Sequence, residues 1–394
     1  VLPDVVNFLL GMASKTSGQV LTLIVGTAPL AAERLGDEEL FRKYLNVLSI
    51  VLAQAPRGLR PMLENLDRLL TQLTLGGLRS WVMWGAQAYK ADFDGQVGYF
   101  SLQSADAMSM LQQERKGTLF VDVQRRLNIY LRAMWGRDFF LRPTAGDYEV
   151  REGLKPYLER FVIHIADAYD DFRPHGDETP EEMIVSGVEI YRAAANHCAA
   201  HLAFTAEPLS MQMLNTTQIG IIETIEDARV EELAIRQFPN MRASWLALHP
   251  PADYSEPESA GDLLNRLARA LLDPDSDDPH PWVQEGVALF RSEEDLSTNQ
   301  ASWNIGVELA HKLAEIPLPE YSSRNDTLRA IYRDDNRTVW ESEEYDELEA
   351  LEATWGPKQV RRKVNIMEMC NNLDNELAGD DAQEIWVLPT EYWL

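Results

Sequence analysis

A chain of 394 residues, 45% hydrophobic and 25% charged, has a globular composition and enough length for two or three cores, so a disordered chain is excluded. Thirty-six Lys and Arg against sixty-three Asp and Glu leave a formal net charge of −27. That charge opposes nucleic acid and anionic membranes and favours a basic protein surface or pore as partner. The two cysteines, Cys198 and Cys370, exclude a disulfide scaffold and fit a reducing, cytoplasmic setting, and no run of about 18 apolar residues is present to span a membrane.

The opening VLPDVVNFLLGM starts on Val rather than Met, has no basic leader and reads as amphipathic helix. With the abrupt end at EIWVLPTEYWL, it suggests a piece of a longer protein. Residues 1–117 read as a stack of helices, HEAT-like but without a clear repeat: LPDVVNFLLGM, GQVLTLIVGTAPLAAERL, DEELFRKYLNVLSIVLAQA and LRPMLENLDRLLTQLTLGGLRSWVMWGAQAY carry apolar residues at helical spacing. Asp37 is the expected N-cap of the third. Trp81, Trp84 and Tyr89 form an aromatic stripe that reads as core.

Beyond Gly117 the helix VDVQRRLNIYLRAMWG precedes two strand-like runs, within 138–143 and 160–167. The second, FVIHIAD, reads as an edge-like strand. A long helix is expected from Thr179–Pro180 through HCAAHLAF, with Pro180 at its first position, and another from near Met211 to Pro239. These make residues 118–245 an α-rich domain with a small β-sheet. Residues 246–394 read as an acidic helical region with Pro/Asp/Ser-rich loops, and YRDDNRTVWESEEYDELEALE as a solvated helix with its leading loop.

The sharpest local pattern is His197-Cys-Ala-Ala-His201. Two His at i and i+4 share one helix face, close enough to hold one metal ion. Zinc hydrolases use this spacing with Glu as the general base, but here Cys198 stands in that position and cannot replace the carboxylate. Glu223, Glu226 and Asp227 follow on the next helix. The order of strand, HxxxH helix and ExxxD helix over roughly 155–240 resembles a gluzincin core, in which a later helix supplies a Glu ligand and an Asp one turn on. That resemblance implies a degenerate zincin-like core with His197, His201 and Glu223 as metal ligands and Asp227 or Glu226 as supporting carboxylate. Zinc is the ion such N and O donors select, although no cofactor is required. No GxxxxGK[ST] loop and no GxSxG elbow occur. Asp295-Leu-Ser-Thr-Asn299 departs from the von Willebrand A metal motif at Asn299.

The stretch WGRDFFLRPTAGDYE at 135–149, with YRAAANHCAAHL and IEDARVEELAIRQFP, resembles the CbbO/NorD family over roughly residues 120–245. The resemblance implies a non-catalytic adaptor working with a hexameric, CbbQ-like ATPase of the MoxR AAA+ class. For CbbO the remodelled target is rubisco inhibited by sugar phosphates; for NorD it is nitric oxide reductase. Family members carry a C-terminal von Willebrand A domain that binds the target, and this sequence contains none. CbbO is the closer resemblance, on WGRDFFLRPTAGDYE and IHIADAYDD. Two other readings compete: a zinc hydrolase with an unusual site, and a helical scaffold without metal.

Overall fold

Side-chain caps set most of the described helix N-termini. The computed structural model describes residues 2–115, 117–144, 155–205, 207–319, 321 and 330–341. The described N-terminal helices are α1 (Leu2–Ala13), α2 (Gly18–Leu35), α3 (Glu38–Gln54), α4 (Leu59–Glu64), α5 (Leu66–Gln72), α6 (Leu75–Ala88), α7 (Phe93–Phe100) and α8 (Ala105–Glu114). Ser17, Asp37, Thr74, Asp92 and Ser104 each accept a backbone N–H of the first turn that would otherwise go unbonded. Gly36 closes α2 at φ 65°, a left-handed conformation that costs glycine little. The run expected as one helix over 59–89 is three, broken at Asn65 and again before the Thr74 cap.

Helix α2 packs on α4 and α5, and α3 on α6, as alternate members of a stack do. Their core centres on Trp81, which stacks on Tyr99 at 4.7 Å and donates its indole N–H to the Ala107 carbonyl at 3.0 Å. The expected aromatic stripe is divided: Trp81 is fully buried, whereas Trp84 is exposed at the rim.

Next come β1 (Thr118–Leu119), α9 (Phe120–Trp135), β2 (Phe140–Pro143), β3 (Tyr157–Glu159), β4 (Val162–Ile165) and β5 (Ala168–Tyr169). The three-stranded sheet has the order β2-β4-β3, with β4 parallel to β2 and antiparallel to β3; β1 and β5 form a separate antiparallel pair. The β4 strand is therefore central, not the edge its sequence suggested. Its Ile163, His164 and Ile165 are all buried, because both flanks are paired and α10 covers one face.

The remaining helices are α10 (Gly187–Phe204), α11 (Thr216–Gln237), α12 (Met241–Leu246), α13 (Ala260–Leu272), α14 (Pro281–Ser292) and α15 (Gln300–Leu313). Helix α10 starts seven residues after Pro180. Glu181–Met183 form only a 3₁₀ turn, Val185 bridges to Phe172, and a capping box of Ser186 and Glu189 nucleates the helix. Helix α11 likewise starts after Asn215, in a second capping box, rather than near Met211. The segment from 246 onward does not stand apart: α13 and α15 pack directly on α11. Contacts gather Val1–Pro208 and Asn215–Val339 into one unit, and Leu209–Leu214 with Trp340–Leu394 into a second. In the second, Leu209 and Trp340 form a parallel bridge, and the Glu341 N–H donates to the Leu209 carbonyl at 3.0 Å. Cys370 and most of the expected acidic C-terminal helix lie outside the described residues. Among those described, no helix is long and apolar enough to cross a membrane.

Candidate metal centre

Helix α10 is rich in alanine, and its small side chains let α9, β4, β5 and α11 approach closely. One face of it is apolar and holds Cys198, which is wholly buried in the core with Ala194, Ala195 and Ile190. Burial pushes the Cys198 thiol well above its ordinary pKa, so it stays protonated and cannot act as a base. The same helix presents His197 and His201 one turn apart, with ring centroids 4.8 Å apart, toward α11. The two helices run antiparallel: His201 faces Asp227, and His197 faces Glu231.

Asp227 and the buried Asp334, from the segment after the described 330 position, complete a group of four. His201 Nε2 lies 3.3 Å from Asp227 Oδ1 and 3.5 Å from Asp334 Oδ1. His197 Nε2 lies 3.6 Å from Asp227 Oδ1 and 3.5 Å from Asp334 Oδ1. One donor atom from each of the four side chains lies within 4.8 Å of the others, and all four residues are buried.

A second layer of polar groups holds these four. The His201 Nδ1 contacts the Thr205 hydroxyl at 3.1 Å, and that hydroxyl donates to Glu226 at 2.8 Å. Glu226 is clamped by the Arg229 guanidinium at 2.6 and 2.7 Å and by the Ser302 hydroxyl at 2.7 Å. His197 Nδ1 lies 3.2 Å from Glu231, which receives two bonds from Arg333 and one from the Tyr332 hydroxyl. Asp227 accepts from Asn336 at 2.8 Å and pairs with Arg333 at 3.5 Å. Histidines that meet a carboxylate or hydroxyl on the side away from a metal are oriented and made more basic by it.

The electrostatics follow from this crowding. Burial alone would lower the pKa of His197, but Asp227, Asp334 and Glu231 more than reverse that and hold it well above the usual value. Burial would raise Glu231, yet Arg333 and His197 hold it down at about 2. Asp227 is kept well below the ordinary carboxylate range against its burial, chiefly by Arg333.

Of the residues the sequence singled out, His197, His201 and Asp227 converge. Glu226 lies one layer out, reaching His201 through Thr205. Glu223 is half-buried one turn before Asp227 and does not belong to the group of four. Asp334 and Glu231 were not anticipated. Glu231 had a signal, since Asp227 and Glu231 repeat on α11 the i, i+4 spacing of the His pair. Asp334 sits in the YRDD run expected to be solvated; instead Tyr332, Arg333, Asp334 and Asn336 are buried in a non-helical segment. The apolar Ala330-Ile-Tyr332 ahead of it was the signal for burial. Comparison with family models, curated proteins and solved structures finds no match.

Proposed function

We propose that this chain is a non-catalytic adaptor of the CbbO/NorD type, which couples a hexameric, CbbQ-like MoxR AAA+ ATPase in the cytoplasm to the remodelling of inhibited rubisco. The observation that carries the non-catalytic part is the fate of the hydrolase-like motif. The position of the general base is held by Cys198, a thiol buried in the apolar core and kept protonated by that burial. The His pair is buried with Asp227 and Asp334 behind a second layer of side chains, and the four donors together match the ligand count of a closed structural site. A zinc hydrolase needs both a base and an open coordination position.

The adaptor part is supported by the family-like stretches, whose described residues belong to α9, β2, α10 and α11. The sequence carries no phosphate-binding loop, so the energy for remodelling comes from a partner. Its net charge of −27 suits a basic ring surface. In the test, the full chain and the ATPase ring are mixed and followed by co-elution, ATPase rate and reactivation of sugar-phosphate-inhibited rubisco. The ring should co-elute with the chain at low salt, less so as ionic strength rises, and its ATPase rate should change several-fold. A ring that neither binds nor responds would remove the adaptor reading. Binding with restoration of nitric oxide reductase maturation but not of rubisco would move the assignment to NorD.

A further inference from the structure

We propose that His197, His201, Asp227 and Asp334 hold one zinc ion in a closed structural site that ties the segment around Asp334 to helices α10 and α11. The four cross-distances between the imidazole Nε2 atoms and the carboxylate Oδ1 atoms run from 3.3 to 3.6 Å. Zinc bonds to His and Asp of about 2.0–2.2 Å set tetrahedral edges of about 3.3–3.6 Å, the same spacing. Four of the six edges thus match those of a zinc tetrahedron, and the other two, His to His and Asp to Asp, lie within 4.8 Å.

A second observation points the same way. Both oxygens of Asp334 and both ring nitrogens of His197 are fully buried and lack a hydrogen-bond partner of acceptable geometry. Four such atoms within one small polar cluster mark a place for a ligand, because they have lost their water and the contacts of His197 and of Asp334 Oδ1 in return are long, 3.2–3.6 Å. A metal bonded to His197 Nε2 and Asp334 Oδ1 satisfies the atoms aimed inward. The charge balance agrees. Around the centre the carboxylates of Asp227, Glu231, Asp334 and Glu226 face the guanidiniums of Arg229 and Arg333 and the two imidazoles. A divalent cation with neutral imidazoles neutralises the remainder. Two imidazole donors in a four-cornered site favour zinc over magnesium or calcium, which take six or more oxygens.

The consequence is local. Asp334 lies in a segment with no regular secondary structure, and Asn336 there adopts φ 57°. Asp334 through the metal, Arg333 through Glu231 and Asn336 through Asp227 fasten that segment at three points. The inference does not depend on the adaptor reading.

The test uses the full chain, purified without chelator or metal-affinity resin. Elemental analysis should give one zinc per chain. After chelation, the melting temperature should rise by a constant increment with each tenfold increase in free Zn²⁺ above the dissociation constant. Co²⁺ added instead should give the intense visible bands of four-coordinate cobalt. Asp334→Asn should bind zinc at least tenfold more weakly, whereas Glu223→Gln, on the same helix as Asp227 but outside the four, should bind as wild type does. A folded, metal-free chain whose melting temperature ignores Zn²⁺ overturns the proposal, as does stoichiometric binding of a different metal. Undiminished zinc affinity in Asp334→Asn also overturns it. If Asp334→Asn fails to fold, the zinc titration and cobalt spectrum of the wild-type chain decide alone.

Discussion

Arg229 commits a guanidinium to full burial inside α11, and every direction it faces is answered. Two bonds go to Glu226, one to the Leu296 carbonyl at 2.8 Å and one to the Phe204 carbonyl at 3.0 Å. Removing the guanidinium leaves Glu226 charged, buried and short of its main partner. Arg229→Met should therefore destabilise the protein by about 3–5 kcal/mol in urea denaturation. Adding Glu226→Gln to that variant should recover part of the loss, because the stranded charge is gone. A double variant no more stable than the single one would mean that the two lost carbonyl bonds, not the charge, carry the cost.

Helices α11 and α15 meet at a glycine. A Cβ at Gly306 would stand 2.5 Å from Ile222 Cγ1 and 3.0 Å from the Ile222 Cα, so an added methyl meets both side chain and main chain. Gly306→Ala should push the two helices apart and destabilise by about 1–3 kcal/mol. Gly26, exposed within α2, has no heavy atom within 4 Å of its added Cβ. There the same substitution should stabilise by about 0.5–1 kcal/mol, through helix propensity alone. Thermal melts of the two variants should therefore move in opposite directions. Equal shifts would show that helix propensity, not the α11–α15 approach, sets the effect at 306.

The pH response of the whole molecule contains a term from His249. Its Nε2 meets the Tyr332 hydroxyl at 3.1 Å, and since that hydroxyl donates to Glu231, the imidazole is the donor. Burial, aided by the nearby Arg333, lowers its pKa from 6.5 to about 3. Between those values the unfolded chain binds a proton that the folded chain refuses, so this group's contribution falls as pH drops below 6.5. From pH 7.5 to pH 5 the loss is about 2 kcal/mol at roughly 1.4 kcal/mol per pH unit. His249→Gln has no such proton to take up. Its stability deficit relative to wild type should shrink by that amount over the same range, as read by denaturant titration at each pH. A deficit that stays constant would place the His249 pKa near its ordinary value.

Periodicity and capping chemistry determined that this protein is mainly helical with a small sheet, because 3.6-residue spacing and side-chain caps are local properties. They located the Asp37 cap, the pairing runs around 140–143 and 162–165, and the one-face spacing of His197 and His201. Tertiary structure decided what local rules leave open. Pro180 is compatible with a helix start, but the bridge of Val185 to Phe172 takes those residues and defers α10 to the Ser186 box. On α11 the sequence marked Glu226 and Asp227 as carboxylates beside the His pair, but only packing by α10 on one side and α13 and α15 on the other buries Arg229 and Glu231 with them. Most of all, Asp334 lies 107 positions from Asp227 in the numbering, and no spacing rule connects them. Only the return of that segment across the helix pair brings its carboxylate to the two histidines, and burial without a hydrogen-bond partner is what gives it chemical meaning.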